Sequence, residues 1–209
     1  VDPSKMEDYI PLFEECEDRN LDYALNIMYA SRWENVNFCD TIVKEKLSPK
    51  FVYIVDSYGG LLPDKVGVLI DKIKSYKFPV GFHAHDNMSL AFANSLIALK
   101  SGVHIVDSTW LGMGRGSGNL VTENWISYIG EKNTRSIIEI ISLFRPLKDR
   151  YQWGTSFEYF IAGFHDFEQA KVMEMITSKV HSMESIISRI LSGKSKQQLN
   201  IYPSGNTES

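Results

Sequence analysis

The chain has 209 residues, an apolar share of 44% and a formal net charge of −4. Mild acidity without a basic block excludes nucleic acid as the main partner, and no apolar run reaches membrane-spanning length. The two cysteines, Cys16 and Cys39, form no Cys-x-x-Cys pair, so buried thiols in a reducing, cytoplasmic setting are expected, with no signal peptide at the start.

Ser4, with Glu7 three residues on, reads as a capping box. Met6, Tyr9, Ile10, Phe13 and Cys16 then recur at helical spacing over residues 5–19. Val1 is not an initiator methionine and no strand precedes this helix, so the sequence is expected to open inside a fold. A short strand follows at 23–29, then a helix at 38–47 stopped by Pro49. Residues 51–55 are a near-continuous apolar run ending in Asp56-Ser57-Tyr58-Gly59-Gly60. A helix at 61–76 carries Pro63 in its first turn, where proline is tolerated. The unit repeats with a strand at 79–85 and a helix at 89–100 closed by Gly102, then a strand at 104–108. A glycine-rich loop occupies 112–118 and a helix begins near Leu120. Beyond residue 134 only helices are expected, at 137–144, 157–164, 168–179 and 182–191, with a turn at 145–150 and a polar tail.

Strand and helix alternate four times, and the strands are apolar on both faces. That pattern marks parallel strands covered by helices, in an open doubly wound sheet or a (β/α)8 barrel. Ligands in such folds bind at the carboxyl ends of the strands. Three ends here carry polar groups: Asp56-Ser57, His83-x-His85 and Asp107-Ser108.

Side chains at i and i+2 of a strand share a face, so His83 and His85 point the same way. Two neighbouring imidazoles at a strand end favour a divalent metal over two merely hydrogen-bonded histidines. Asp56 or Asp107 would hold a ligand imidazole in one tautomer, or else each caps a helix. In the loop Gly112-Met113-Gly114-Arg115-Gly116-Ser117-Gly118-Asn119, the ending lacks a P-loop's Gly-Lys-Ser/Thr and the dinucleotide fingerprint is absent. Asn119 either caps the next helix or offers its amide oxygen to the metal, and Arg115 reads as solvated in preference to binding a carboxylate. His104 sits at the strand end remote from the site and reads as structural. His181 reads as surface.

The block from Gly81 to Glu123, with Gly-Phe-His-Ala-His-Asp-Asn and Gly-Met-Gly-Arg-Gly-x-Gly-Asn, resembles the metal-binding half of the metal-dependent pyruvate aldolases. These belong to a wider family of TIM-barrel metallolyases that includes 3-hydroxy-3-methylglutaryl-CoA lyase and the 2-isopropylmalate and homocitrate synthases. The resemblance extends to about residue 190 and weakens in the last helices. It implies an α/β fold comprising the C-terminal half of a (β/α)8 TIM barrel, about strands five to eight, over residues 1–133. A helical extension at 134–192 and a polar tail at 193–209 would follow. It implies His83 and His85 as metal ligands, Asn119 as a ligand or near neighbour, and Ser57 beside the substrate carboxylate, with Asp56 among the catalytic candidates. An annex tyrosine of the aldolases has no clear counterpart; His165 falls near its place, with Tyr159 close by, and is the catalytic candidate there.

The implied reaction cleaves a 4-hydroxy-2-oxo acid to pyruvate and an aldehyde, with Mn²⁺ or Mg²⁺, or alternatively Zn²⁺, stabilising the enolate. A homo-oligomer and an aldehyde dehydrogenase partner are further expectations. The family's Asp-Arg-Glu-like opening strand and early catalytic histidine have no counterpart here. The loop lacks the cysteine of the coenzyme A lyases, which disfavours that branch. A Claisen-type synthase, a non-catalytic relative and a metal-dependent hydrolase are the alternatives.

Overall fold

The computed structural model describes residues 1–130 and 133–193. Four strands, β1 (Ala24–Ile27), β2 (Phe51–Asp56), β3 (Val80–Ala84) and β4 (Ile105–Val106), form one parallel sheet in the order β1-β2-β3-β4. Helix α1 (Ile10–Asp18) precedes β1, while α2 (Phe38–Lys44), α3 (Pro63–Ser75) and α4 (Ala91–Lys100) connect the strands. Helices α5 (Thr122–Ile129), α6 (Thr134–Tyr151), α7 (Phe157–Phe164), α8 (Gln169–Ser178) and α9 (Met183–Ser192) follow. The expected alternation is therefore present, as an α/β fold with a parallel sheet. No helix of the described residues is long and apolar enough to cross a membrane.

Alternation along the strands decides what each face does. Leu25, Ile27, Val52, Ile54, Phe82 and Ala84 are buried in the larger core with Val66, Ile70 and Ile73 of α3 and Ala91 and Ala98 of α4. Each such large apolar side chain contributes roughly 1.5–3 kcal/mol by leaving water. The register pairs Tyr53 with Gly81 and Val55 with His83, so these lie on the opposite face. Gly81 is glycine for a reason of space: a Cβ there would sit 2.6 Å from the Tyr53 ring.

A second apolar cluster joins Tyr159, Ala162, Val172, Met175, Ile186 and Ile190 of α7, α8 and α9. It meets the sheet through backbone. A Cβ on Gly60, in the loop after β2, would lie 2.2 Å from the carbonyl oxygen of Gly163 in α7. Ser31 Oγ donates to Asp166 Oδ1 at 2.5 Å, and the Arg32 guanidinium donates to the Asp166 carbonyl.

Three local expectations are corrected. Ser4 is not the first cap: Asp2 Oδ1 accepts from the Ser4 amide at 2.9 Å and from its hydroxyl at 2.7 Å, starting a 3-10 helix, Pro3–Tyr9. The turn expected at 145–150 is the end of α6, which runs through Pro146 to Tyr151. Proline removes a single N–H from the ladder, and the intact turns on either side carry the helix past it. The last strand keeps only Ile105–Val106, because the chain then turns to pair Thr109 with Val121. The expected polar tail, after Gly193, lies outside the described residues.

Candidate metal centre

His83 and His85 leave the end of β3 on one face, with ring centroids 5.2 Å apart and planes at 76°. His85 Nδ1 lies 3.0 Å from the carbonyl oxygen of Ser57. A carbonyl only accepts, so Nδ1 carries the proton and the Nε2 lone pair is free. His83 Nδ1 lies 3.1 Å from Asp107 Oδ2, and a carboxylate imposes the same tautomer. Of the two aspartates considered for this task, Asp107 is the one that contacts a histidine of the pair. Burial, and then the neighbouring His83, pull the His85 pKa down to about 4, so at neutral pH the ring is an uncharged donor.

The glycine-rich loop brings Asn119 alongside, in an antiparallel bridge with His85. Its Nδ2 donates to the Met113 carbonyl at 2.9 Å. Its Oδ1 is buried and, among the described residues, has no hydrogen-bond partner. An orphaned amide oxygen on the residue bridged to His85, together with two imidazole nitrogens, is a donor set that fits a divalent ion accepting mixed nitrogen and oxygen ligands. Among the described residues no group of three or more His, Cys, Asp or Glu side chains is gathered for a metal.

Beside His85 a cleft of about 380 Å³ opens, lined by residues that include Tyr29, Ser57, Tyr58, Arg115, Glu168 and Gln169. Ser57 Oγ accepts the Tyr29 amide at 3.0 Å, leaving its own proton to give. Tyr29 has φ +67°, a left-handed conformation a tyrosine adopts only where its surroundings enforce it. Stacking on Tyr58, with centroids 5.3 Å apart, is part of that enforcement. Arg115 is exposed yet lines this cleft, so its side chain faces the site as well as water. A larger hollow of about 470 Å³, around Arg145, Lys148 and Trp153, is lined by Tyr159 but by none of Ser57, Asp56, His165, His83, His85 and Asn119.

Two expected catalytic groups are not brought to the cleft. Asp56 pairs in register with Ala84, on the helix-covered face, and its carboxylate accepts the amides of Gly60 and Leu61 at 3.1 and 3.2 Å. It ties down the loop. His165 follows α7, with its ring edge-on to Phe164, and does not line the cleft. Tyr29, Glu168 and Gln169 carry no local sequence signal of a place in the cleft; Gly116, which packs against Gln169, is the nearest to one.

Burial pushes the Asp56 pKa from 3.8 up to about 7. A raised carboxyl pKa stabilises the fold fully below about pH 4, and that contribution is lost as pH rises through about 7. Wild-type unfolding free energy is therefore expected to fall over this window by on the order of 4 kcal/mol more than that of Asp56→Asn. Parallel urea titrations of the two proteins at pH 4 and 8 check this difference.

The HMGL-like family model matches residues 5–147. The chain belongs to the HMGL-like family. It is 37% identical over 99 residues to the 4-hydroxy-2-oxovalerate aldolase of Brevibacillus brevis, covering 47% of this chain and 29% of the relative. The Thermomicrobium roseum enzyme of the same name is 47% identical over 73 residues, covering 34% of this chain and 20% of the relative. The chain thus matches less than a third of the length of these HMGL-like relatives. Among solved structures, the N-terminal domain of a candidate aldolase from Bacteroides vulgatus superposes with a TM-score of 0.79 at 34% identity, covering 90% of this chain and 64% of that one. The carboxyl transferase domain of Rhizobium etli pyruvate carboxylase superposes with a TM-score of 0.66 at 16% identity, covering 85% and 34%. That second likeness shows a shared fold alone.

Proposed function

We propose that this chain carries the metal-binding half of an aldolase that cleaves a 4-hydroxy-2-oxo acid to pyruvate and an aldehyde. The observation that carries the reading is the pair of fixed tautomers: Ser57 and Asp107 occupy both Nδ1 atoms and leave both Nε2 atoms free on one face. His83 and His85 would hold a divalent ion, Mn²⁺ or Mg²⁺ for preference, through those nitrogens, with Asn119 Oδ1 as a further donor. A bound ion supplies Lewis-acid polarisation of the 2-oxo group.

The remaining roles fall to the chain's own side chains. Ser57, its oxygen already accepting from Tyr29, donates its hydroxyl proton to the substrate carboxylate. Asp107 keeps the His83 ring in register and raises its basicity as a donor. Burial holds His85 neutral, so no proton competes for its lone pair. Asp56 acts on this site at one remove, by fixing the loop that presents the Ser57 carbonyl to His85.

The four βα units are read as the second half of a (β/α)8 barrel over residues 1–133, with the helices of 134–192 as an annex. The in-order parallel sheet and the gathering of site residues at strand ends support this. A cytoplasmic homo-oligomer, working with a dehydrogenase that consumes the aldehyde, completes the proposal. Treatment of the full-length protein with EDTA is expected to reduce pyruvate formation from 4-hydroxy-2-oxovalerate to background, and Mn²⁺ to restore it. A rate unchanged by chelation refutes the metal-dependent reading.

A further inference from the structure

The glycine-rich loop is gripped from the annex by a buried chain of side chains. Gln169, 8% exposed at the start of α8, donates through Nε2 to the Arg115 carbonyl at 2.5 Å and to Ser117 Oγ at 3.2 Å. Ser117 Oγ, 4% exposed, donates in turn to Asn87 Oδ1 at 2.5 Å. Asn87, 1% exposed, donates to the Tyr159 carbonyl of α7 at 3.1 Å. Every link is made. Such a network fixes one conformation when complete and loosens when any member is lost.

The grip ends at Asn119. The Arg115 carbonyl held by Gln169 also accepts the Gly118 amide at 3.1 Å, closing the turn that delivers Asn119. Gly118 then presents its carbonyl to the Asp86 amide at 3.0 Å, one residue past the histidine pair. There is no slack in the loop. A Cβ on Gly116 would lie 2.4 Å from Gln169 Nε2, and one on Gly114 would lie 2.4 Å from Asn119 Nδ2.

We propose that Gln169 is a positioning residue for the metal centre. Through Arg115 and Ser117 it holds the loop in the conformation that keeps the Asn119 amide oxygen beside the histidines. The annex helices thereby take part in building the site without touching the ion. The inference rests on the reading of Asn119 as a metal donor.

Gln169→Met keeps the shape of the side chain and removes its donor. Ser117→Ala breaks the same network without altering α8. The test measures amide hydrogen exchange in the metal-free full chain, together with Mn²⁺ affinity. Both variants are expected to speed exchange at the Gly118 amide about tenfold, leave the β2–β3 ladder unchanged, and weaken Mn²⁺ binding on the order of tenfold. Unchanged Gly118 exchange overturns the proposal. So does a loss of protection spread evenly over the chain, which marks general destabilisation. Faster loop exchange with an unchanged Mn²⁺ affinity overturns the positioning role while leaving the metal centre intact. If the wild-type chain binds no Mn²⁺, the metal reading and this role fall together, while local Gly118 exchange still shows whether the loop is clamped.

Discussion

Alanine in place of His85 is expected to abolish Mn²⁺ binding and, with it, pyruvate formation. The ring is one of two imidazoles on the face, and its Nε2 is free because Nδ1 is engaged by Ser57. Removing a direct donor costs more than removing a group that only orients one. Asp107→Ala, which frees the His83 ring to rotate, is expected to weaken metal binding by roughly 10–100-fold. His104→Ala is the control. Its Nδ1 accepts the Val80 amide at 3.3 Å, at the opposite end of β3, and its ring is tilted against Phe51. That variant should lose about 1 kcal/mol of stability and no metal affinity. Calorimetric titration with Mn²⁺ separates the three, and equal affinities for all of them would dismiss the histidine centre.

Gly60→Ala is expected to be strongly destabilising. The new methyl would meet the Gly163 carbonyl at 2.2 Å, so the obstacle is helix backbone and not a side chain that swings away. Overpacking of this kind costs about 1–3 kcal/mol, and a rigid obstacle places the cost at the upper end. Gly67→Ala in α3 gives the contrast: its Cβ would meet only the Ser101 hydroxyl, at 3.3 Å. There alanine's helical preference, worth up to about 1 kcal/mol, should make the change neutral or stabilising. Thermal unfolding monitored by circular dichroism distinguishes them, since about 3 kcal/mol lowers Tm by roughly 6–12 °C in a chain of this size. Equal melting temperatures would contradict a close seam between the loop and α7.

What the sequence disclosed follows from the range of the interactions involved. Periodicity is local, so β2, β3, α3 and α4 could be read from their own residues, including Pro63 at a helix start and Gly102 beyond a helix end. The common face of His83 and His85 follows from strand alternation alone. Pro146 misled because proline's local cost is offset by the rest of a helix of 18 residues. Asp56 and Asp107 were indistinguishable until register placed one on the helix-covered face and the other against His83. Gln169 was illegible for another reason. Its partners lie 54 and 52 residues away, and nothing near it in sequence reports on them.

The lining of the cleft joins Ser57 and His85, at the ends of strands, to Glu168, Gln169 and Ala170, at the start of an outlying helix. The two histidines and the exposed part of this wall therefore reside on separate elements, linked through Gln169. Glu168 and Ala170, both exposed, can be exchanged to reshape the chamber while the nitrogen donors stay where the sheet put them. Variation along that outer wall would leave the histidine pair and the strands that carry it untouched.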